Sequence, residues 1–202
     1  MEPFISHTGI VTPIDRMNVD TDQICPAEFL KRIERTGYGE FLFDRWRKQD
    51  EGFILNHPVY AQGTVLVGGR NFGSGSSREH AVWAIVQYGY RAVIAPNFAE
   101  IFHNNSFENG LCPVLLPEEQ VRQILDKALA KPGYQVTVDL DRCEVSDAEG
   151  MGFPFVVHHD PATHEFRRHT LMNGLDTIAL TMLQEAKITA FEQRAGGSPL
   201  VR

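Results

Sequence analysis

The sequence has few cysteines, and they are scattered. Its 202 residues contain three of them, Cys25, Cys112 and Cys143, and none has the close CxxC-type spacing typical of zinc or iron-sulfur sites. We therefore expect the chain to bind no metal ion and to hold no cofactor of its own.

Long apolar runs are also missing. No stretch of 18 residues is apolar and uncharged, as a membrane-spanning helix requires, and Met1–His7 lacks the basic and apolar regions of a secretion signal. These absences predict a cytoplasmic protein with no membrane partner.

Positive charge is in deficit, because the formal net charge is −7. Nucleic-acid-binding domains usually concentrate lysine and arginine on one face, so nucleic acid is not an expected partner.

The 43% hydrophobic content with 22% charged residues is ordinary for a folded protein. No internal repeat is evident, and we predict one domain over residues 1–202 with a flexible tail at 193–202.

The central part of the sequence predicts a strand, a loop, a helix and a second strand. Thr64–Val67 has the character of a buried strand, Ala81–Val86 is a mostly apolar helical segment that ends near Gly89, and Ala92–Ala95 is the next strand. Further helical patterns cover 98–102, 118–129 and 177–191, and strand patterns cover 135–140 and 153–157. The mixture predicts an α/β fold.

Two segments before this region carry weaker signals. Asn18–Asp22 is rich in residues that bond to their own backbone, which favours a loop. In Ala27–Arg35 the apolar positions have helical spacing, and Thr36–Gly37 supplies a stop, so a short amphipathic helix is expected.

A glycine-rich loop, Gly73–Arg78, lies where the predicted strand leads into the helix. Free backbone N–H groups and the helix dipole favour an anion at such a place. The loop is not a P-loop, because no lysine follows its last glycine, and Arg78 replaces the third glycine of a dinucleotide fingerprint. Gly73 and Gly75 are therefore predicted to shape an anion-binding loop for a ligand other than ATP or NAD.

Structural interpretations of the same residues remain open. Ser76 and Glu79 have the S-x-x-E spacing of a helix capping box, and the Gly-Ser-Gly-Ser stretch could be a linker, although apolar segments on both sides disfavour this. His80 lies one helical turn after Ser76, but a packing role is favoured over a Ser-His pair.

The occurrence of two particular motifs, one near the start of the chain and one in the glycine loop, is highly specific for one group of proteins. The segment 71–80, NFGSGSSREH, together with 18–24, NVDTDQI, resembles the swivel domain of the aconitase superfamily. Additional segments resemble the small subunits of bacterial isopropylmalate dehydratases and separate the sequence from aconitase itself: 7–9, 35–39, 94–99 and 167–176. Gln23 and Cys25 depart from that pattern, in which small or aliphatic residues are expected.

The resemblance implies a three-layer β/β/α swivelling domain and a hydro-lyase active only with a partner large subunit, which carries the [4Fe-4S] cluster. It implies that Ser76 is the catalytic general base and that Ser77 and Arg78 bind a carboxylate of a small dicarboxylate substrate. Either Arg35 or Arg32 is implied as a further carboxylate-binding residue.

The activity implied is the dehydration and rehydration that interconverts 2-isopropylmalate and 3-isopropylmalate in leucine biosynthesis. Two alternatives remain at this point. The chain could be the small subunit of a related hydro-lyase, such as homoaconitase or a citraconate/methylmalate hydratase, or a noncatalytic anion-binding module in which Ser76 and Glu79 only cap a helix.

Overall fold

A computed structural model describes residues 1–194 of the chain. Within them, seven strands form one sheet in the order β4-β3-β2-β1-β5-β6-β7. The strands are β1 (Ser6–Ile14), β2 (Val65–Gly68), β3 (Ala92–Ala95), β4 (Cys112–Leu115), β5 (Gln135–Asp139), β6 (Glu144–Ser146) and β7 (Gly152–Pro154). The helices are α1 (Thr21–Ile24), α2 (Asp44–Gln49), α3 (Glu79–Tyr88), α4 (Glu100–Glu108), α5 (Glu118–Ala130), α6 (Pro161–Met172), α7 (Thr177–Met182) and α8 (Glu185–Arg194). The predicted α/β class is confirmed.

Strand β1 joins a parallel and an antiparallel half of the sheet. Its second half pairs in parallel with β2, and its first half pairs antiparallel with β5. Strands β2, β3 and β4 continue in parallel and are buried along their whole length, whereas β5 alternates between buried and more exposed positions. Continuous burial is typical of parallel strands covered on both faces, and alternation is typical of a half-exposed antiparallel strand.

Hydrophobic cores lie on both faces of the sheet. On one face, Val65 and Val67 of β2 pack in the same core as Val121 and Ile124 of α5. On the other face, Leu66 shares a core with residues of α3, α4 and the segment before α2. The side chains of β2 thus alternate between two cores, as the geometry of a strand requires.

The parallel direction of β1, β2 and β3 brings the loops after these strands to one edge of the sheet. Ligands of open α/β sheets commonly bind at this carboxyl edge. Both motifs of the sequence analysis lie here, since 18–24 follows β1 and 71–80 follows β2.

The predicted helix over Ala27–Arg35 is wrong. A 3₁₀ helix covers only Ala27–Lys31, and Arg32 is already extended. Ile33, which was expected on the apolar face, has 97% of its surface exposed. Without a surface that would bury Ile33, the segment gains nothing from completing an α-helix.

The structure also corrects two boundaries. The predicted loop Asn18–Asp22 is a loop only as far as Asp20, because α1 begins at Thr21. The predicted helical run Thr177–Phe191 consists of two helices, α7 and α8, instead of one. Three further 3₁₀ helices that the pattern did not indicate cover Gly39–Phe41, Ile54–Asn56 and Tyr60–Gln62.

At the C-terminus, residues 193 and 194 of the predicted tail belong to α8, and the rest of the tail lies outside the described residues. None of the helices in the described part of the chain has the length and apolar character needed to cross a membrane.

Candidate functional site

The glycine loop after β2 needs glycine at two positions. Gly73 and Gly75 have φ angles of +76° and +88°, a region that other residues adopt only with strain. A Cβ atom at Gly73 would also lie 2.1 Å from Cγ of Phe102 on α4. The loop is therefore held tightly against α4, and its fixed path presents residues 74–78 at the edge of the sheet.

The two motifs are directly bonded to each other. The backbone N–H groups of Gly73 and Ser74 donate to the carbonyl oxygen of Val19, and the N–H of Thr21 donates to that of Ser74. The Thr21 hydroxyl donates to the Ser76 carbonyl oxygen at 2.8 Å. The Asn-Val-Asp-Thr-Asp segment thus holds the glycine loop in place through these hydrogen bonds.

A capping box exists in this site, but it does not involve Ser76 or Glu79. The Asp20 side chain accepts from the N–H of Gln23, and the Gln23 side chain accepts from the N–H of Asp20, at the start of α1. Helix α3 begins at Glu79 with Arg78 as its N-cap and has no side-chain cap. The S-x-x-E prediction for Ser76 and Glu79 is therefore wrong.

Glu79 has another partner, because its carboxylate accepts from the side-chain amide of Asn109 at the end of α4. The Ser76 hydroxyl is left free of a capping role.

Ser76 and Ser77 are exposed to solvent. Within residues 1–194, the backbone N–H groups of Gly75, Ser76, Ser77 and Arg78 donate to no protein acceptor. Because these N–H groups precede helix α3, they lie at the positive end of its dipole. The arrangement favours an anion, as the sequence predicts.

Arg78 forms an ion pair instead of extending freely into solvent. Its Nη1 contacts Oδ1 of Asp22 at 2.6 Å, and only 19% of its side-chain surface is exposed. This pair lowers the pKa of Asp22, against a smaller opposing effect of burial. The other oxygen of Asp22, Oδ2, contacts Nη1 of Arg45 on α2 at 2.6 Å.

The two candidate arginines of the following segment are in different situations. The Arg32 guanidinium contacts the carboxylates of Glu34 and Glu40. The Arg35 guanidinium lies 5.7 Å from the centre of the Trp83 ring on α3 and, in the described part of the chain, forms no ion pair. Neither arginine is bonded to Ser76, Ser77 or Arg78 in the structure of this chain.

His80 packs among aromatic rings, as the sequence analysis favoured. Its ring centre lies 4.5 Å from that of Trp83 and 5.2 Å from that of Tyr38, and burial lowers the pKa of its imidazole. It donates to or accepts from no atom of Ser76 among the described residues.

The Asp-Thr-Asp motif was evident from the sequence, but no role was predicted for Thr21, Asp22 or Arg45. The motif itself was the signal for Thr21 and Asp22. No sequence signal indicated Arg45, because it lies 23 residues from Asp22 on a short helix that carries other charged residues as well.

No three histidine, cysteine, aspartate or glutamate side chains converge on a possible metal position in residues 1–194. Cys25 and Cys112 are buried and Cys143 is half-buried. Burial raises the pKa of Cys25 to about 11 and also raises that of Cys112. At neutral pH these two thiols are therefore protonated.

Comparison with known proteins gives two matching family models. A family model for the aconitase C-terminal domain matches residues 1–119, which include the glycine loop and the segment Asn18–Asp22. A second model, described as LeuD_N, matches residues 122–158.

Two curated relatives resemble nearly the entire chain, and both are named 3-isopropylmalate dehydratase small subunit. The protein from Brevibacillus brevis is 53% identical over 96% of this chain and 100% of its own length. The protein from Polaromonas naphthalenivorans is 50% identical over 98% of this chain and 96% of its own length.

Among solved structures, the crystal structure of 3-isopropylmalate dehydratase (LeuD) from Methanocaldococcus jannaschii has a TM-score of 0.65 and 26% identity, and the match covers 94% of this chain and 99% of that one. The likeness confirms the predicted swivel-domain fold. The chain belongs to the aconitase C-terminal domain family and, within it, to the 3-isopropylmalate dehydratase small subunits.

Proposed function

We propose that this chain is the small subunit of a 3-isopropylmalate dehydratase and, together with a large subunit, interconverts 2-isopropylmalate and 3-isopropylmalate by dehydration and rehydration. The observation that carries the proposal is the free, exposed hydroxyl of Ser76 in a loop with unpaired N–H groups, next to an arginine fixed by Asp22. The relatives' names supply the substrate.

In this reaction Ser76 removes the proton from the carbon beside a carboxylate. A serine hydroxyl is a weak base at its ordinary pKa, so its alkoxide requires stabilisation. The unpaired N–H groups of 75–78, the start of α3 and the positive charge of Arg78 provide it. On rehydration the same hydroxyl returns the proton.

Arg78 and Ser77 bind one substrate carboxylate. The planar guanidinium of arginine offers two parallel N–H groups to such a group, and Asp22 fixes its direction in advance. For the second carboxylate we favour Arg35 over Arg32, because two glutamates already neutralise Arg32. Arg35 keeps an unpaired charge among the described residues.

The remaining part of the site belongs to the partner. We assign the [4Fe-4S] cluster to the large subunit, since the buried cysteines of this chain do not converge. When the two chains are assembled, the cluster would supply a Lewis acid for the substrate hydroxyl. This chain contributes the base and the carboxylate-binding groups. We place the enzyme in the cytoplasm as part of leucine biosynthesis.

The deciding experiment is an assay of the reconstituted two-chain complex, prepared without oxygen, against 2-isopropylmalate, citrate, homocitrate and citraconate. A value of kcat/KM highest for 2-isopropylmalate is expected. Preference for homocitrate or citraconate would instead identify a related hydro-lyase. Absence of turnover with all four substrates would favour a noncatalytic anion-binding module.

A further inference from the structure

One carboxylate in the site is shared between two arginines. Oδ1 of Asp22 contacts Nη1 of Arg78, and Oδ2 contacts Nη1 of Arg45, each at 2.6 Å. Arg78 is a residue of the proposed substrate-binding loop. Arg45 reaches the other oxygen of the same carboxylate from helix α2.

The geometry separates the roles of the two arginines. Both terminal nitrogens of Arg45 are engaged, Nη1 with Asp22 and Nη2 with Glu28 at 3.0 Å. Arg78 uses only Nη1 in the described structure, so Nη2 and Nε remain available for a ligand. Arg45 is therefore not placed to bind a carboxylate itself, whereas Arg78 is.

The charge balance gives Arg45 a specific effect. An isolated pair of Asp22 and Arg78 would be neutral, and the aspartate would repel a negatively charged substrate next to the arginine. With Arg45 the three groups sum to a net positive charge, and Glu28, which contacts Arg45 at 3.0 Å, brings the four groups to neutrality. Arg45 thus offsets the negative charge that Asp22 would otherwise present to the substrate. Because these groups are partly exposed, the effect is screened and modest.

Helix α2 is well anchored for this role. The N–H of Phe43, directly before α2, donates to the carbonyl oxygen of Ile24 at the end of α1. The Phe43 ring stacks on Trp46 with centres 5.2 Å apart. Arg45 and Asp22 thus lie on two short helices that are bonded to each other.

We propose that Arg45 is a positioning residue for substrate binding: by engaging the second oxygen of Asp22, it orients that carboxylate and leaves the charge of Arg78 for the substrate carboxylate. The inference rests on the proposed function and extends it by one residue outside the two motifs. Glu28, which contacts Arg45 from the other side, opposes this effect.

The test compares four variants in the reconstituted complex. Arg45→Met should raise KM for 2-isopropylmalate by about twofold to fivefold, with kcat changed by less than about twofold. Glu28→Gln should lower KM. Arg45→Lys should have a KM close to that of the wild type, because lysine keeps the positive charge. Lys48→Met is the control, since Lys48 lies on the same helix, is mostly exposed and pairs only with Asp44 among the described residues.

A second measurement needs no turnover. In the isolated full chain, carboxyl NMR of Asp22 should show a higher pKa in Arg45→Met and an unchanged one in Lys48→Met. The groups that act on this carboxylate are Arg78, Arg45 and the N–H of Ala27.

An unchanged KM in Arg45→Met would overturn the proposal, whether or not the pKa of Asp22 changes. So would equal increases of KM in Arg45→Met and Glu28→Gln, because a purely structural role predicts the same sign for both. If the wild-type complex fails to convert 2-isopropylmalate while the NMR result is as expected, the proposed function fails and the electrostatic link between Arg45 and Asp22 stands.

Discussion

The hydroxyl of Thr21 donates a hydrogen bond of 2.8 Å to the carbonyl oxygen of Ser76, 55 residues later in the chain. This bond joins the motif after β1 to the residue that we propose as the base. It makes the position of Ser76 depend on a residue of the other motif.

Replacing Thr21 by valine keeps the shape and removes this donor. We expect kcat to fall by about threefold to 100-fold, since small displacements of a reacting group reduce rates strongly, while the free energy of unfolding falls by only about 1 kcal/mol. Steady-state kinetics and thermal unfolding would measure both. Thr8→Val is a matched control, because Thr8 forms a similar hydroxyl contact with Thr137 away from the loop. Equal losses of activity in both variants would contradict the prediction.

Ser76→Ala should abolish turnover, by about 100-fold to 10,000-fold, while substrate still binds. Its stability should change by less than about 0.5 kcal/mol, because Ser76 does not cap α3. Kinetics of the complex and thermal unfolding of the isolated variant test this. Near-normal turnover in a clearly destabilised variant would support a capping role instead.

Arg78→Lys should mainly raise KM, by about tenfold, because an ammonium keeps the charge but cannot reproduce the guanidinium fork. The matched control is Arg70→Lys, which alters a largely exposed arginine paired with Glu118. The readout is the separate change of KM and kcat for 2-isopropylmalate. If kcat/KM remained at the wild-type value, Arg78 would not be a substrate-binding residue.

Stability should decrease in mild acid because of His103. Burial lowers the pKa of this histidine from 6.5 to about 4, so the unfolded chain binds a proton between those pH values that the folded chain does not. Stability is therefore full above pH 6.5 and is lost as the pH falls towards 4, by at most about 3 kcal/mol.

Denaturant unfolding between pH 7 and pH 4 measures this loss. The slope of stability against pH should be smaller in His103→Phe than in the wild type, and His57→Gln, which changes an exposed histidine that does not act on His103, should keep the wild-type slope. The same slope in all three proteins would show that other groups cause the acid sensitivity.

The chain purified alone, without oxygen, should be folded, colourless and inactive, and should become active on addition of the large subunit. The physical reason is that its cysteines take part in no metal-binding cluster among the described residues, while the proposed base and carboxylate-binding groups lie on this chain. Iron and sulfide analysis with a dehydratase assay decides this. Stoichiometric cluster or unassisted isomerisation in that sample would refute the two-subunit arrangement.

Local sequence determined two inner strands of the sheet and the glycine loop. Val65–Gly68 and Ala92–Ala95 are continuous apolar runs, and Gly73 and Gly75 lie where positive φ angles are required. These features depend on short-range spacing and backbone sterics, so they could be predicted. Sequence spacing led to a wrong helix at Ala27–Arg35 and a wrong cap at Ser76–Glu79. Whether such a helix or cap forms depends on which surfaces the rest of the fold buries and which groups it hydrogen-bonds.

Only the tertiary structure decided which side chains meet. Asp22, Arg45 and Arg78 come from three segments that are joined because β1 and β2 run in parallel and α2 is bonded to the end of α1. A charge pattern along the chain does not specify such a pairing, since exposed arginines and carboxylates are common and most of their possible partners are distant in sequence. The sequence by itself therefore determined the glycine loop, and the fold selected the carboxylate that pairs with Arg78.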